Sequence, residues 1–202
     1  MVSHNLAFLG LGPDPIVEIE NWVEEGQKSA DPYYNAFTLA TVDKDGKPDC
    51  RVVLLKGIEN GKLLFFTNYE SKKGQDLSAN NNVCVNFFWP RLNRQIRIHG
   101  YCEKISAEKS DDYFQTRPRG SQVNANISPQ SHSIPGRSFL EQRAKKFAQD
   151  YEGKKIPCPP FWGGHAITVE QVEFWLADEF RLHSRVVYSL ENNSWSKHWL
   201  AP

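Results

Sequence analysis

From Ala36 to Ile105 the chain swings repeatedly between apolar, β-branched runs and tight-turn signals. Ala36 to Val42, Arg51 to Lys56, Lys62 to Asn68, Val83 to Trp89 and Arg94 to Ile105 read as strands. Asp43-Lys44-Asp45-Gly46, Asn60-Gly61 and Pro90-Arg91-Leu92-Asn93 read as turns, with Gly46 able to take a positive φ. Strands joined by such short turns pair antiparallel, because a parallel pair needs a long crossover. No strand–helix–strand alternation is present, which argues against a doubly wound sheet. Gly10-Leu11-Gly12-Pro13 follows no strand and is no dinucleotide fingerprint. Four apolar residues in a row within Arg51–Lys56 predict a strand buried on both faces, as in a barrel. The expected architecture is mainly β: an antiparallel, Greek-key-like barrel with peripheral helices.

The helices carry their own punctuation. Asp14-Pro15 gives a capping carboxylate followed by a first-turn proline. Ile16, Ile19 and Val23 follow at helical spacing, with Glu18, Glu20, Glu24 and Glu25 expected outside and Gly26 or Ser29 at the end. Ser71 to Asn80 reads as a helix capped by Ser71, and Ala107 to Thr116 as a polar one stopped near Pro118. Residues 120–137, rich in Ser, Asn, Gln and Pro, read as a long loop. Ser138-Phe139-Leu140-Glu141 reads as a capping box for a helix running to about Tyr151. Pro157, Pro159 and Pro160 form a stiff linker, and further strands run from Gly164 to Trp199. A length of 202 residues fits a single domain, with residues 1–13 as a tail and 120–160 as a loop-and-helix excursion.

Charge and cysteine usage narrow the function. The 24 acidic and 24 basic residues cancel, so no global basic field exists for nucleic acid or membrane, and basic clusters must act locally. No apolar run reaches transmembrane length, and Leu6 to Leu11 is too short and lacks the basic start of a signal peptide. Cys50, Cys84, Cys102 and Cys158 include no Cys-x-x-Cys pair, so neither a metal site nor a redox dithiol is expected. Reduced, buried thiols and a reducing, cytoplasmic setting are expected instead. An aromatic content of 12 %, with six Trp, suits either a core or a flat-ligand pocket.

Four clusters bear chemistry. Arg51 and Lys56 bracket an apolar strand, while Lys72 and Lys73 open a helix, where cations oppose the helix dipole unless an anion sits at its free N–H groups. Thr67 and Ser71 would add hydroxyl donors; two solvated lysines are the even alternative. Tyr113, Arg117 and Ser121 recur at intervals of four, and a phenol, a guanidinium and a hydroxyl suit a second phosphate. Pro118 forbids one continuous helix through them, although a helix end followed by a tight turn could still keep them convergent; alone, an exposed helix end is the simpler reading. Gln95, Gln130 and Ser131 offer amide and hydroxyl groups to a heterocycle edge. Finally, Glu173-Phe174-Trp175 precedes Arg181-Leu182-His183-Ser184-Arg185. Strand alternation would place Arg181, His183 and Arg185 on one face, suited to a planar anion, although a solvated strand face is the simpler reading alone.

Taken in order, these segments resemble the pyridoxamine 5′-phosphate oxidase family. The resemblance rests on Arg51-Val-Val-Leu-Leu-Lys56, Phe65-Phe-Thr-Asn68, Ser71-Lys-Lys73, Asn93-Arg-Gln95, Tyr113-Phe114, Arg117-Pro-Arg119, Ser121-Gln122, Gln130-Ser131, Phe161-Trp-Gly-Gly164, Glu173-Phe-Trp175, Arg181-Leu-His183, Arg185 and Leu200-Ala-Pro202. It runs from about Asp14 to Pro202. It implies a split β-barrel homodimer with FMN in the cleft between subunits. Arg51, Val52, Val53, Leu54, Leu55, Lys56, Phe66, Thr67, Lys72, Lys73, Gln95, Gln130, Ser131, Trp175 and Arg185 are then the expected FMN residues. Lys56, Tyr113, Arg117 and Ser121 would take the substrate phosphate. Arg181, Leu182 and His183 would hold the pyridine ring, with Arg181 and His183 the expected catalytic pair and His183 either a proton acceptor or a positioner.

The implied reaction is the two-electron oxidation of pyridoxamine or pyridoxine 5′-phosphate to pyridoxal 5′-phosphate, with dioxygen reduced to hydrogen peroxide. Asn124, Leu176-Ala177 and Ser184 depart from the family's pattern, and little of its basic N-terminal segment precedes Asp14. Two alternatives share much of the chemistry. One is an oxidase of the phenazine-biosynthesis branch, against which Lys56 and the Arg117–Ser121 motif speak. The other is a non-catalytic binder of flavin or pyridoxal phosphate.

Overall fold

A computed structural model describes residues 10–202. The order is α1 (Pro15–Lys28), β1 (Ala36–Val42), β2 (Pro48–Leu54), β3 (Gly57–Glu59), β4 (Lys62–Asn68), α2 (Lys72–Ala79), β5 (Asn82–Trp89), β6 (Arg94–Lys104), α3 (Ala107–Thr116), α4 (Arg119–Ile127), α5 (Arg137–Asp150), β7 (Trp162–Leu176), β8 (Ser184–Glu191) and β9 (Ser194–Trp199). The strands form one nine-stranded sheet in the order β2-β1-β5-β6-β7-β4-β3, with β8 on β7 and β9 on β8. Every pairing is antiparallel, giving a half-barrel flanked by helices.

The 15-residue strand β7 organises this sheet. One edge runs along β6, from Leu176 opposite Arg94 to His165 opposite Lys104. Its other edge is shared, with β4 on residues 162–167 and β8 on residues 171–176. The register with β6 shifts between His99 and Gly100. Glycine is required there because a Cβ would collide with the Thr168 carbonyl oxygen, and the bulge bends the strand pair.

The core lies between this sheet and α1. Phe37, Leu39, Phe65, Val85, Phe87, Ile96, Ile98 and Phe174 are buried within it. Ile19 and Trp22 of α1 reach down onto them, Trp22 meeting Phe174 edge-on at 5.1 Å. A smaller cluster of Phe114, Val123, Ile127, Ile156 and Trp162 seats α3, α4 and α5 against the open side of the barrel. It positions the walls of the cavity described below.

Many sequence expectations hold to within a residue or two, including α1, α3, β1 and β4. The Asp14 side chain accepts from Ile16 N at 2.8 Å, and Ser71 caps α2 by accepting from Gly74 N. Six readings require correction. Residues 119–127 are the helix α4 and no loop, because Pro118 starts a new helix after breaking the old one. Ser138 lies inside α5, whose N-cap is Gly136, so the capping box does not form. Glu18 is buried and accepts from Gly12 N, which ties the entry segment to α1. Leu11 joins the core and Gly12 accepts from Tyr188 Oη at 2.6 Å, so these residues are docked; the rest of the expected tail, 1–9, lies outside the described residues. Strand β2 is buried on neither face throughout: Val52 is 66 % and Leu54 40 % exposed, which leaves apolar surface on this chain. Of the four free cysteines only Cys102 is fully buried, and Cys50 is exposed. No helix among the described residues is long and apolar enough to cross a membrane.

Candidate active site

A cavity of about 540 Å³ opens between β2, β4 and the α3–α4 corner. Arg51, Val52, Val53, Leu54 and Lys56 form one wall, and Phe66, Thr67 and Lys73 the next. Tyr113, Arg117 and Ser121 close it from the helical side, with Gln130 and Trp162 completing the lining. The break at Pro118 therefore does bring Tyr113, Arg117 and Ser121 to one space. A larger depression of about 710 Å³ lies beside Asp43 and Ser78, but its cation, Lys44, is bonded to Asp45 at 2.9 Å. Charge, more than size, marks the smaller cavity.

Lys73 is held among neutral acceptors. Its Nζ donates to Gln130 Oε1 at 2.9 Å and to Thr67 Oγ1 at 3.0 Å. Burial, with the Arg51 guanidinium adding to it, pushes its pKa down to about 8. Among the described residues it has no carboxylate partner. Arg51 is anchored more firmly, through Thr41 Oγ1 at 2.8 Å, the Leu39 carbonyl at 3.2 Å and Asp49 at 2.9 Å.

Arg117 is a cation of a second kind. Its guanidinium carbon lies 4.5 Å from the Trp162 ring centroid, and its Nη1 is buried with no hydrogen-bond partner. Burial pulls its pKa down. An orphaned buried N–H on a cation is costly and is satisfied by an incoming anion. Beside it Tyr113 stacks on Phe66 at 3.9 Å.

Lys72 does not join the cavity. Its Nζ donates to Asp76 Oδ1 at 2.6 Å and lies 3.9 Å from Asp43, and the bond to Asp76 raises its pKa. Asp76 itself is buried and also accepts from Thr41 Oγ1 at 2.8 Å, which bonds Arg51 in turn. Sequence reasoning missed Asp76 and Thr41, although the Lys72–Asp76 spacing of four on a helix was a readable signal. It also gave Trp162 no role. Leu55 is buried beneath the cavity wall, and Ser131, at φ 71°, stands exposed just beyond Gln130.

The remaining expected residues assemble elsewhere. Gln95 of β6 lies in register with Trp175 of β7, which faces Arg185 of β8. Arg185 donates to Glu173 Oε1 at 2.7 Å and to the Ala201 carbonyl at 2.9 Å, and the Glu173 bond raises its pKa. The expected strand through Arg181 and His183 does not form. Glu179–Arg181 is a tight 3₁₀ turn in which Phe180 and Arg181 both take left-handed backbone, at φ 53° and 63°. Such conformations are strained for non-glycine residues and persist where surroundings impose them. His183 packs against Trp175 at 4.7 Å, and its Nδ1 accepts from Asp178 N at 3.2 Å. A neutral ring so bonded carries its proton on Nε2. Phe180 is 91 % and Leu182 68 % exposed. None of Gln95, Trp175, Arg181, Leu182, His183 and Arg185 lines the cavity of this same chain.

Comparison with known proteins follows the same division. The family model for pyridoxamine 5′-phosphate oxidase matches residues 28–150, and that for the pyridoxine 5′-phosphate oxidase C-terminal dimerisation region matches residues 162–202. The chain therefore belongs to the pyridoxamine 5′-phosphate oxidase family. A pyridoxine/pyridoxamine 5′-phosphate oxidase of Leptospira interrogans is 50 % identical over 99 % of this chain and 95 % of its own length. A namesake from Cupriavidus taiwanensis is 45 % identical over 95 % and 91 %. Among solved structures, PhzG from Burkholderia lata, in complex with tetrahydrophenazine-1-carboxylic acid, superposes with a TM-score of 0.91 at 24 % identity, covering 100 % of this chain and 99 % of that one. A pyridoxamine 5′-phosphate oxidase-related, FMN binding protein from Nostoc punctiforme gives 0.75 at 17 %, covering 95 % and 100 %. At these identities the two structures establish the split-barrel fold.

Proposed function

We propose that this chain oxidises pyridoxamine 5′-phosphate or pyridoxine 5′-phosphate to pyridoxal 5′-phosphate, with FMN as cofactor and dioxygen reduced to hydrogen peroxide. One observation carries the reading. A single cavity holds three cations, Lys56, Lys73 and Arg117, that have no carboxylate partner among the described residues, in two groups suited to the two phosphate esters that the reaction brings together.

The donor set fits FMN. Arg51, Thr67, Lys73 and Gln130 of the cavity would take its phosphate and ribityl chain, joined by the exposed Ser131 next to Gln130, and Val52, Val53, Leu54 and Phe66 offer an apolar wall to its ring. Lys72 acts from outside this cavity, tying Asp76 and through Thr41 the Arg51 guanidinium. When bound, FMN supplies the two-electron acceptor. Lys56, Tyr113, Arg117 and Ser121 would hold the substrate phosphate, and gripping both esters fixes the distance between the reacting groups.

Gln95, Trp175, Arg181, His183 and Arg185 would complete the site from a second copy of the chain. The exposed Val52, Leu54, Phe88, Phe180 and Leu182 give such a copy apolar surface to cover. Arg181 would orient the pyridine ring. His183 acts as a positioner, since its Nε2–H is a donor while Nδ1 is engaged by Asp178. The four free cysteines suit a reducing compartment such as the cytoplasm.

The test is anaerobic mixing of the flavin-loaded protein with pyridoxine 5′-phosphate. Prompt loss of the yellow absorbance is expected. Tight binding without bleaching would make the chain a carrier, and neither binding nor bleaching would point to an oxidase of another substrate.

A further inference from the structure

We propose that Trp162 is a positioning residue for the substrate phosphate: its indole face holds the Arg117 guanidinium so that its N–H groups point to the ester. The proposal rests on the assignment of Arg117 to that phosphate.

Trp162 is itself firmly placed. It opens β7 in register with Asn68 of β4, its backbone N donates to the Pro159 carbonyl at 3.0 Å, and it is 7 % exposed. Its ring lies nearly parallel to Phe66 (18°) and Tyr113 (7°) and meets Phe114 edge-on at 5.2 Å. The indole thus packs beside two side chains of the cavity, Phe66 and Tyr113, and is braced from behind by the fully buried Phe114.

Arg117 follows the end of α3 in an extended conformation, so no helix holds its long side chain. What does hold it is the ring 4.5 Å below its guanidinium carbon, with Phe114 at 5.6 Å. Stacking on an aromatic face leaves the in-plane N–H fork free for a phosphate, and here Nη1 has no partner within the described residues. Trp162 also lines a second cavity of about 420 Å³, shared with Tyr69, Lys104, Ser110, Cys158 and Pro159. A smaller side chain at 162 would join the two spaces and let Arg117 swing off its phosphate-facing direction.

The experiment compares Trp162→Phe and Trp162→Leu in the FMN-loaded protein, measuring KM and kcat for pyridoxine 5′-phosphate, inhibition by inorganic phosphate, flavin retention and melting temperature. A cation–π contact of this kind predicts a rise in KM of about 3- to 30-fold for Leu, with kcat nearly unchanged, flavin retained, and inorganic phosphate weakened in parallel. Phe should recover most of the loss, because it restores an aromatic face. Should Leu fail to fold, Trp162→Met supplies the non-aromatic comparison. A fall in kcat at constant KM, or Phe no better than Leu at equal flavin content, would overturn the proposal. If the wild type turns over no phosphorylated vitamer, the functional reading fails separately. The affinity of inorganic phosphate for wild type, Phe and Leu proteins, with the same ranking expected, then still decides the role of Trp162.

Discussion

The cavity between β2, β4 and α3–α4 and the surface at the β7–β8 turn both present cations, yet Lys73 and Arg117 of the first are treated in the opposite way to Arg185 of the second. In the cavity, Lys73 and Arg117 are partly buried, lack a carboxylate partner among the described residues, and have pKa values lowered by desolvation. At the turn, Arg185 is paired with Glu173, which also accepts from Arg97 at 3.3 Å, and its pKa is raised. A cation kept without its counter-ion is stabilised when an anionic ligand arrives. A cation pinned by a carboxylate is instead fixed in direction. The cavity is therefore built to capture charge, and the turn to present a preset shape to whatever covers it. The first is lined by one chain, whereas the second leaves Phe180 91 % exposed.

The sharpest way to break this comparison is to damage each half in a different subunit. Arg117→Ala should raise the KM for pyridoxine 5′-phosphate about 100-fold through loss of charge-assisted hydrogen bonds. Arg181→Ala should lower turnover by a similar factor while FMN retention stays near wild type. Neither homodimer is then useful, but a mixed dimer has one site carrying both lesions and one carrying none. Random mixing after reversible dissociation should restore activity to roughly a quarter of wild type, as expected for two-fold related sites built from both chains. Mixtures no more active than the average of the parents would mean that both halves act within one chain.

The two regions were also unequally legible. Strands and turns from Ala36 to Ile105 followed from apolar runs and turn residues, because local pattern and tertiary burial agree there. The spacing of Tyr113, Arg117 and Ser121 leaves convergence open but alone favours an exposed helix end, and the sequence of α4 reads as a loop. Its polar composition hides the single buried face of Gln122, Val123 and Ile127. At the β7–β8 turn the strand reading failed outright. Two consecutive left-handed residues, Phe180 and Arg181, carry no glycine or asparagine to announce them. Exposure of Val52 and Leu54 was unreadable for a different reason: a continuous apolar run looks the same whether its cover is the same chain or another. The spacing of four between Lys72 and Asp76 is the one readable sign that separates Lys72 from Lys73; the burial of Asp76 and the placement of Gln130 against Lys73 carry no such sign.

That division supplies a smaller test within the cavity. Lys73→Ala should weaken FMN about 30-fold, as loss of a charge-assisted contact to a phosphate does, while riboflavin, which lacks the phosphate, should lose little. Fluorescence titration of the apoprotein with both flavins measures the difference. Lys72→Ala should act less on FMN and more on melting temperature, because it strips a partner from the buried Asp76. Equal effects of the two lysines on FMN would show that Lys72 turns into the cavity when the cofactor binds.

The smallest expected effect is a pH dependence confined to the cavity side. Lys73 has a pKa of about 8 in the ligand-free chain, so it is charged below that pH and loses its proton above it. A bound phosphate favours the ammonium form and raises that value again. Binding above pH 8 must therefore take up a proton, and FMN affinity should fall as pH rises, by about 5- to 10-fold between pH 7 and 9. The FMN phosphate does not contribute, since its second ionisation lies near 6 and is complete in this window. Lys73→Arg should flatten the curve, because a guanidinium stays charged throughout. Arg185 at the β7–β8 turn also stays charged, held by Glu173, so it supplies no competing slope. A profile that is flat in the wild type, or that keeps its slope in Lys73→Arg, would remove Lys73 from the phosphate and with it the contrast between a cation left waiting and a cation tied down.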